Sequence, residues 1–197
     1  MDETAPFQLA ECVAEAAQRL GIETALIGAM ALAANGYVRA TDDVDIATAV
    51  DPRAELHRLQ QALRALGFCA DLNMPDDEDV LGGVLRVWRH EDEDGRPLDL
   101  VEVVNFNNPY RPRPNPAAVA IKNAVPLDEH TILKYVRLPD LVALKLYAGG
   151  RQDLADIGEL LVKNRDANLD EIRVASKPYD RGGDLERLIA EACLRLR

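Results

Sequence analysis

The sequence predicts a mixed α/β fold, with a sheet flanked by helices and a helical C-terminal part. A run with a two-residue period at residues 43–48 and a strand-like apolar run at residues 98–104 indicate strands. Apolar residues that recur every three or four positions, at residues 7–20 and 51–66, indicate amphipathic helices that cover such a sheet. Glycine or proline stands at most of the junctions, as is typical of turns and helix ends.

The size and composition of the chain limit its organisation. With 197 residues it can bury one proper core, but two large domains would not fit. We expect a catalytic core over residues 1–116, then short strands and helices over residues 117–197 that form a separate part or pack as one domain with the core. The net charge of −11 argues against broad, nonspecific binding to nucleic acid.

No part of the sequence indicates a membrane or an oxidising compartment. There is no long uncharged apolar run, so we expect no membrane partner. The start, MDETAPFQ, is acidic and leads into no apolar signal core. Three scattered cysteines show neither a pairing pattern nor a metal pattern. We therefore expect a cytoplasmic protein.

Residues 24–50 combine a glycine turn with two alternating carboxylates, and we expect the functional site there. Residues 24–27 form a short apolar strand that Gly28 ends, at a point where tight backbone approach is needed. Residues 29–34 are strong helix formers, closed by Asn35-Gly36. The helix begins directly after the strand, so its free N–H groups form a natural cradle for a phosphate.

The run Asp43-Val44-Asp45-Ile46 then alternates with period two, which places Asp43 and Asp45 on one face of a strand. Two adjacent carboxylates repel unless a pKa rises or cations lie between them. Mg²⁺ fits best, because it takes oxygen ligands from carboxylates and phosphates. The alternative is a solvated edge strand after an ordinary turn at Gly28.

Gly28-Ala29, separated by thirteen residues from Asp43-x-Asp45, resembles the signature of the DNA polymerase beta-like nucleotidyltransferase superfamily. The run from Arg39 through Thr41 to Asp43 is similar to the R-x-T-x-D run of bacterial minimal nucleotidyltransferases, including toxins of the abortive-infection type. One position departs from the pattern. Ala29 stands where Gly or Ser is usual, so a hydroxyl contact to phosphate is lost and the backbone donor is kept.

The resemblance implies a nucleotidyltransferase-like core that transfers NMP from an NTP to an acceptor and releases pyrophosphate, with Mg²⁺ or Mn²⁺ as cofactor. It implies that Asp43 and Asp45 bind the metal and take part in catalysis. The residues implied to bind the nucleotide are Gly28, Ala29, Arg39, Thr41 and Lys145.

Asp99 interrupts an apolar strand, where a lone acid is costly unless it is paired or binds something. The resemblance implies that a third aspartate on a neighbouring strand completes the metal site, and Asp99 matches it by type and order. Its implied role is to bind the metal and accept the proton of the attacking hydroxyl. Glu102 is the nearest rival, and a satisfied strand-edge carboxylate is the structural alternative.

Lys145 lies within an apolar helix that starts near Pro139 and stops at Gly149-Gly150. The runs LVALKLYA and RQDLADI resemble the C-terminal signature of the same minimal nucleotidyltransferases, in which the lysine faces the cleft. The alternative is a structural ion pair of Lys145 with Asp153 or Asp156.

Three function classes remain open at this point. The first is an enzyme whose acceptor is tRNA, a protein or a small molecule. The second is the toxin of a toxin–antitoxin pair, with an antitoxin protein as partner. The third is a catalytically weak module that binds a nucleotide or a partner, as the Ala29 departure allows. The acidic run at residues 76–79 is expected to be a mobile, solvated loop.

Overall fold

The computed structural model of the chain describes residues 5–41 and 43–195, and it has the predicted mixed α/β architecture. Its helices are α1 (Ala5–Arg19), α2 (Gly28–Ala34), α3 (His57–Ala65), α4 (Ala117–Lys122), α5 (Leu138–Ala148), α6 (Arg151–Lys163), α7 (Leu169–Ser176) and α8 (Asp184–Arg195). Its strands are β1 (Ala25–Leu26), β2 (Asp43–Thr48), β3 (Cys69–Asn73), β4 (Val84–Trp88), β5 (Leu100–Asn105), β6 (Val125–Pro126) and β7 (Lys134–Tyr135). Within the described ranges, every helix is too short or too polar to cross a lipid bilayer.

The strands form one mixed sheet in the order β3-β4-β5-β2-β1-β7-β6. At its centre β2 and β5 run parallel, while β4 pairs antiparallel with β5 and β1 pairs antiparallel with β2. The β4–β5 pair is the hairpin that the sequence predicts. Strands β6 and β7 come from the C-terminal part and extend the sheet beyond β1. The two halves of the sequence therefore share one sheet.

Each face of the sheet covers its own apolar core. On one face α1 and α3 pack against Val44 and Ile46 of β2 and Val101 and Val103 of β5. On the other face Ala47 belongs to a second core, built with α2 and α4–α8. Because side chains alternate along a strand, Asp43 and Asp45 belong to the face of Ala47. The predicted alternation is confirmed.

Helix α5 lies at the centre of the C-terminal helical layer and packs against α4, α6 and α7. Pro139 stands in its first turn, where a missing N–H costs nothing, and Gly149 ends it with a φ of 68°. Residues 140–146 are all buried. A helix that is apolar all round is buried on every side. The same burial draws Lys145 out of solvent.

Two asparagines after β5 tie loops to the end of the sheet. Asn105 is fully buried, and its amide donates to the carbonyls of Val50 (3.0 Å) and Gly82 (2.8 Å) and accepts from the Val50 N–H (3.0 Å). Asn108 donates to the carbonyls of Asp76 (2.8 Å) and Asp79 (3.0 Å). The acidic run at residues 76–79 is thus a hydrogen-bonded turn fixed to the core.

Replacing Asn105 tests this connection. Asn105→Ala leaves the Val50 and Gly82 backbone groups without partners in a buried place, so we expect the free energy of unfolding to fall by about 3 kcal/mol. Urea denaturation measures the change. Asn107→Ala is the matched control, because Asn107 is exposed and its substitution should change stability by less than about 0.5 kcal/mol. Equal effects of the two substitutions would show that the Asn105 network does not stabilise the fold.

Candidate functional site

Three carboxylates meet on the face of β2 and β5 that carries Asp45. The parallel register places Asp45 opposite Glu102 and Asp43 opposite Leu100. One carboxylate oxygen from each of Asp43, Asp45 and Glu102 lies within 4.8 Å of the other two. The three side chains are half-buried. We call Asp43, Asp45 and Glu102 the carboxylate cluster.

Asp99 is the member of the predicted set that the structure does not bring into this cluster. It stands at a bend one residue before β5 and is half-buried. Within β5, Val101 and Val103 face the α1 core, so the intervening Glu102 faces Asp45. The third carboxylate of the cluster is therefore Glu102. Combining the alternation of β5 with the pairing register would have identified it, but the register is not visible in the sequence.

Gly28 is required by close contact with Asp45. Its φ is 54°, in the left-handed region that side chains rarely adopt. A Cβ placed on Gly28 would lie 2.0 Å from Asp45 Oδ2. The carboxylate of Asp45 therefore occupies the space directly against the start of α2, where Ile27 provides no side-chain cap. The glycine that the sequence places at a tight turn serves this approach.

The pKa of Asp45 is raised to about 6, chiefly by burial, because water is excluded from the charged carboxylate. The negative charges of Asp43 and Glu102 contribute to the same rise. Arg39 and Lys145 oppose the rise, since their positive charges favour the ionised form. The ionised form of Asp45 is thus disfavoured in the folded protein.

The two outer members of the cluster are held by hydrogen bonds. The Thr41 hydroxyl lies 2.6 Å from Asp43 Oδ1 and donates to it. Arg86, directly opposite Glu102 on β4, donates from Nε to Glu102 Oε1 at 2.8 Å. Thr41, which the resemblance assigns to the nucleotide, contacts Asp43 here. These contacts fix the positions of Asp43 and Glu102 on either side of Asp45.

Lys145 forms ion pairs with Asp153 and Asp156, which the sequence analysis gave as the alternative to a role in the cleft. Its Nζ lies 2.7 Å from Asp156 Oδ2 and 3.1 Å from Asp153 Oδ1. Lys145 and Asp156 are 7% and 1% exposed, so the pair is buried between α5 and α6. Since Lys145 also lowers the pKa of Asp45, its charge acts on the carboxylate cluster as well. The two interpretations of Lys145 are compatible.

Arg39 lies between the same two groups of acids. Its Nη1 is 4.0 Å from Asp156 Oδ2, and its charge lowers the pKa of Asp45. Its Nε is buried and has no hydrogen-bond partner among the described residues. A buried hydrogen-bond donor without a partner costs free energy, and an anion that accepted a hydrogen bond from Arg39 Nε would remove this cost.

The carboxylate cluster fits a hard divalent cation. Its donors are all carboxylate oxygens, which are the ligands that Mg²⁺ and Mn²⁺ prefer. Their spacing within 4.8 Å allows one ion to contact oxygens from all three side chains. Such an ion would relieve the repulsion from Asp43 and Glu102, which contributes together with burial to the raised pKa of Asp45.

Gly28→Ala tests the contact between Gly28 and Asp45. The added methyl group must displace the Asp45 carboxylate, so we expect Mn²⁺ affinity to fall at least tenfold, by about 1.4 kcal/mol or more. Gly36→Ala is the matched control, because Gly36 also has a positive φ, of 86°, but faces open space. Both variants should lose about 1 kcal/mol of stability from backbone strain. Isothermal titration with Mn²⁺ should separate them, and equal affinities would contradict the account.

The pKa of Asp45 predicts a pH dependence of stability in the metal-free protein. Because the native pKa lies above the ordinary value of 3.8, the native state binds this proton more tightly than the unfolded chain. Asp45 therefore lowers stability progressively as pH rises from about 4 to 6, by at most about 3 kcal/mol.

Asp45→Asn isolates this effect, because asparagine resembles the protonated acid. In EDTA the variant should match the wild type near pH 4 and exceed it in stability above pH 7. Urea denaturation at both pH values measures the difference, and other titrating groups cancel in the comparison. A difference that does not change with pH would show that Asp45 is not a strained carboxylate.

Comparisons with known proteins identify the fold. No protein-family model and no curated protein sequence matches the chain. Among solved structures, the antibiotic-resistance factor ANT(2'')-Ia in solution is similar, with a TM-score of 0.52 and 16% identity over 95% of this chain and 97% of that one. Its crystal structure in complex with adenylyl-2''-tobramycin gives a TM-score of 0.51 and 13% identity, over 89% of this chain and 97% of that one.

A third similar structure is an antigenic nucleotidyltransferase-like protein from Paracoccidioides brasiliensis. It gives a TM-score of 0.52 and 17% identity, over 95% of this chain and 93% of that one. At such low identities, structural similarity over nearly the whole length of both chains shows a shared fold. The chain has the fold of the nucleotidyltransferases.

Proposed function

We propose that this protein is an enzyme that transfers an NMP from an NTP to a hydroxyl of an acceptor and releases pyrophosphate. The observation that carries the proposal is the carboxylate cluster packed against Gly28, where β1 passes into α2, on a nucleotidyltransferase fold. Binding alone would not require three clustered negative charges, because their repulsion costs stability.

Asp43, Asp45 and Glu102 are proposed to hold Mg²⁺, or Mn²⁺ in its place. Such ions supply Lewis-acid stabilisation of the charge on the phosphate oxygens. Thr41 and Arg86 contribute by fixing the carboxylates of Asp43 and Glu102. Pre-organised ligands bind a metal more tightly because less freedom is lost.

The proposed reaction is a displacement at the α-phosphorus of the NTP. The acceptor oxygen forms a bond to the α-phosphorus, the bond to the oxygen bridging the α- and β-phosphates breaks, and pyrophosphate leaves with that oxygen. The acceptor hydroxyl must lose its proton to a base within hydrogen-bond reach. We assign this role to Glu102, which replaces Asp99 in the cluster. Asp99→Asn is therefore a necessary comparison.

The triphosphate is proposed to lie between the start of α2 and the positively charged side chains of Arg39 and Lys145. The N–H groups of Gly28 and Ala29 belong to the first turn of α2, where backbone donors have no helical partners. Arg39 offers the buried Nε that has no partner among the described residues, and Lys145 offers charge behind Asp45. Both residues would place positive charge beside the triphosphate.

The acceptor is the least constrained part of the proposal. The net charge of −11 favours a small molecule or a protein over tRNA, because tRNA binding depends on basic residues. The similar ANT(2'')-Ia structure holds adenylyl-2''-tobramycin, so the same fold accommodates a small-molecule acceptor in that protein. A toxin that modifies a cellular acceptor would use the same chemistry and would be silenced by an antitoxin.

The decisive experiment supplies each NTP, labelled at the α-phosphate, with Mg²⁺ and with separate RNA, protein and small-molecule fractions of a cell extract. We expect label to enter one fraction, and EDTA to abolish the transfer. Saturable NTP binding without transfer in any fraction would favour the nucleotide-binding module. Neither binding nor transfer would reject the proposal.

Substitutions in the cluster predict a non-additive pattern. Asp43→Asn, Asp45→Asn and Glu102→Gln should each reduce transfer by a factor of about 10³ or more, and combining two should cost little further, because the three serve one centre. Asp99→Asn should retain most of the activity, since Asp99 lies outside the cluster. Initial rates of label transfer measure both. Loss of activity in folded Asp99→Asn with full activity in Glu102→Gln would restore Asp99 as the third acid.

A further inference from the structure

A cavity lies in the C-terminal helical layer, apart from the carboxylate cluster. It has a volume of about 370 Å³ and is lined by residues of α4, α5, α7 and the segment that follows α7. Cavities of about 300 to 1,000 Å³ are the size that holds small molecules in proteins. None of the residues proposed for the transfer reaction lines it.

The polar end of this cavity contains a buried carboxylate with little compensation. Asp140 is 7% exposed, and its one hydrogen-bond partner among the described residues is the Asn123 amide, at 3.2 and 3.4 Å from its two oxygens. A carboxylate offers about four acceptor positions. Burial raises the pKa of Asp140, since the charged form has lost its water. Asp140 therefore has free acceptor capacity beside the cavity.

The charged residues that line the cavity are both acidic. Glu171 is the other charged residue that lines the cavity, and it is already paired with Arg137, which does not line it. No lysine, arginine or histidine lines the cavity among the described residues. From outside the lining, the positive charge of Arg137 lowers the pKa of Asp140, but Arg137 is itself paired with Glu171. A cationic ligand would therefore meet acidic side chains and no cation among the described residues of the lining.

The rest of the lining is apolar. Val119 on α4 and Val174 on α7 both line the cavity and are 55% and 76% exposed. Ala143 of α5, which is buried, and Pro139 of α5, which is half-buried, add apolar surface to the lining. Exposed large apolar side chains grouped around a cavity are typical of ligand sites.

From these observations we propose that the cavity binds a primary ammonium group carried on an apolar body. The ammonium group donates to Asp140, and the apolar body lies between Val119 and Val174. This ligand site goes beyond the transfer reaction and does not depend on it, because Asp140 takes no part in the carboxylate cluster.

The probe is hexylamine, with 1-hexanol as its uncharged analogue. Isothermal titration of the whole protein should show one saturable site for hexylamine, and affinity for 1-hexanol at least about tenfold weaker, since a hydrogen bond to a charged group is lost. The methyl resonances of Val119 and Val174 should shift with hexylamine at the same midpoint. Absence of saturable binding, or equal binding of the two compounds, would overturn the proposal.

Variants locate the site. Asp140→Asn should weaken hexylamine binding about tenfold or more, whereas Asp170→Asn, an exposed acid of α7 outside the cavity, should leave it unchanged. Val174→Lys provides a second test if Asp140→Asn does not fold, because Val174 is exposed and the new cation should repel the amine. Binding that is unaffected by Val174→Lys, or weakened equally by Asp170→Asn, would contradict the assignment.

Discussion

The repulsion among Asp43, Asp45 and Glu102 is the constraint on which the rest of the site depends. Three carboxylates within 4.8 Å of one another repel in the metal-free protein, and burial together with this repulsion raises the pKa of Asp45 to about 6. The sheet imposes the arrangement, because β2 and β5 are central, parallel neighbours in fixed register. Such strain is common at functional sites, where a ligand relieves it.

The surroundings of the cluster compensate for this repulsion in three ways. Gly28 leaves room for the Asp45 carboxylate, since any larger residue would collide with it. Arg86 pairs with Glu102 from the neighbouring strand, at the more exposed side. Lys145 and Arg39 bring positive charge from the helical side, and the buried bond between Lys145 and Asp156 keeps the lysine in place. The C-terminal helices are therefore part of the site's electrostatics.

Local patterns predicted the parts of this structure that depend on local chemistry. The strand ending at Gly28, the alternation of Asp43 and Asp45, and the helix around Lys145 follow from turn chemistry and periodicity, and the structure confirms all three. The sequence alone does not show that Glu102 lies beside Asp45, because this depends on which residue of β5 pairs with Asp45. The turn at residues 76–79 was expected to be mobile. Its attachment depends on Asn108, a residue distant in sequence.

Anomalous diffraction from crystals soaked in Mn²⁺ can show whether the carboxylate cluster holds a divalent cation. We expect a peak about 2.1 Å from a carboxylate oxygen of each of Asp43, Asp45 and Glu102. The peak should be absent from crystals of Glu102→Gln or strongly reduced in them. A peak bound by Asp99 in place of Glu102, or no peak at Asp43 and Asp45 at saturating Mn²⁺, would contradict this expectation.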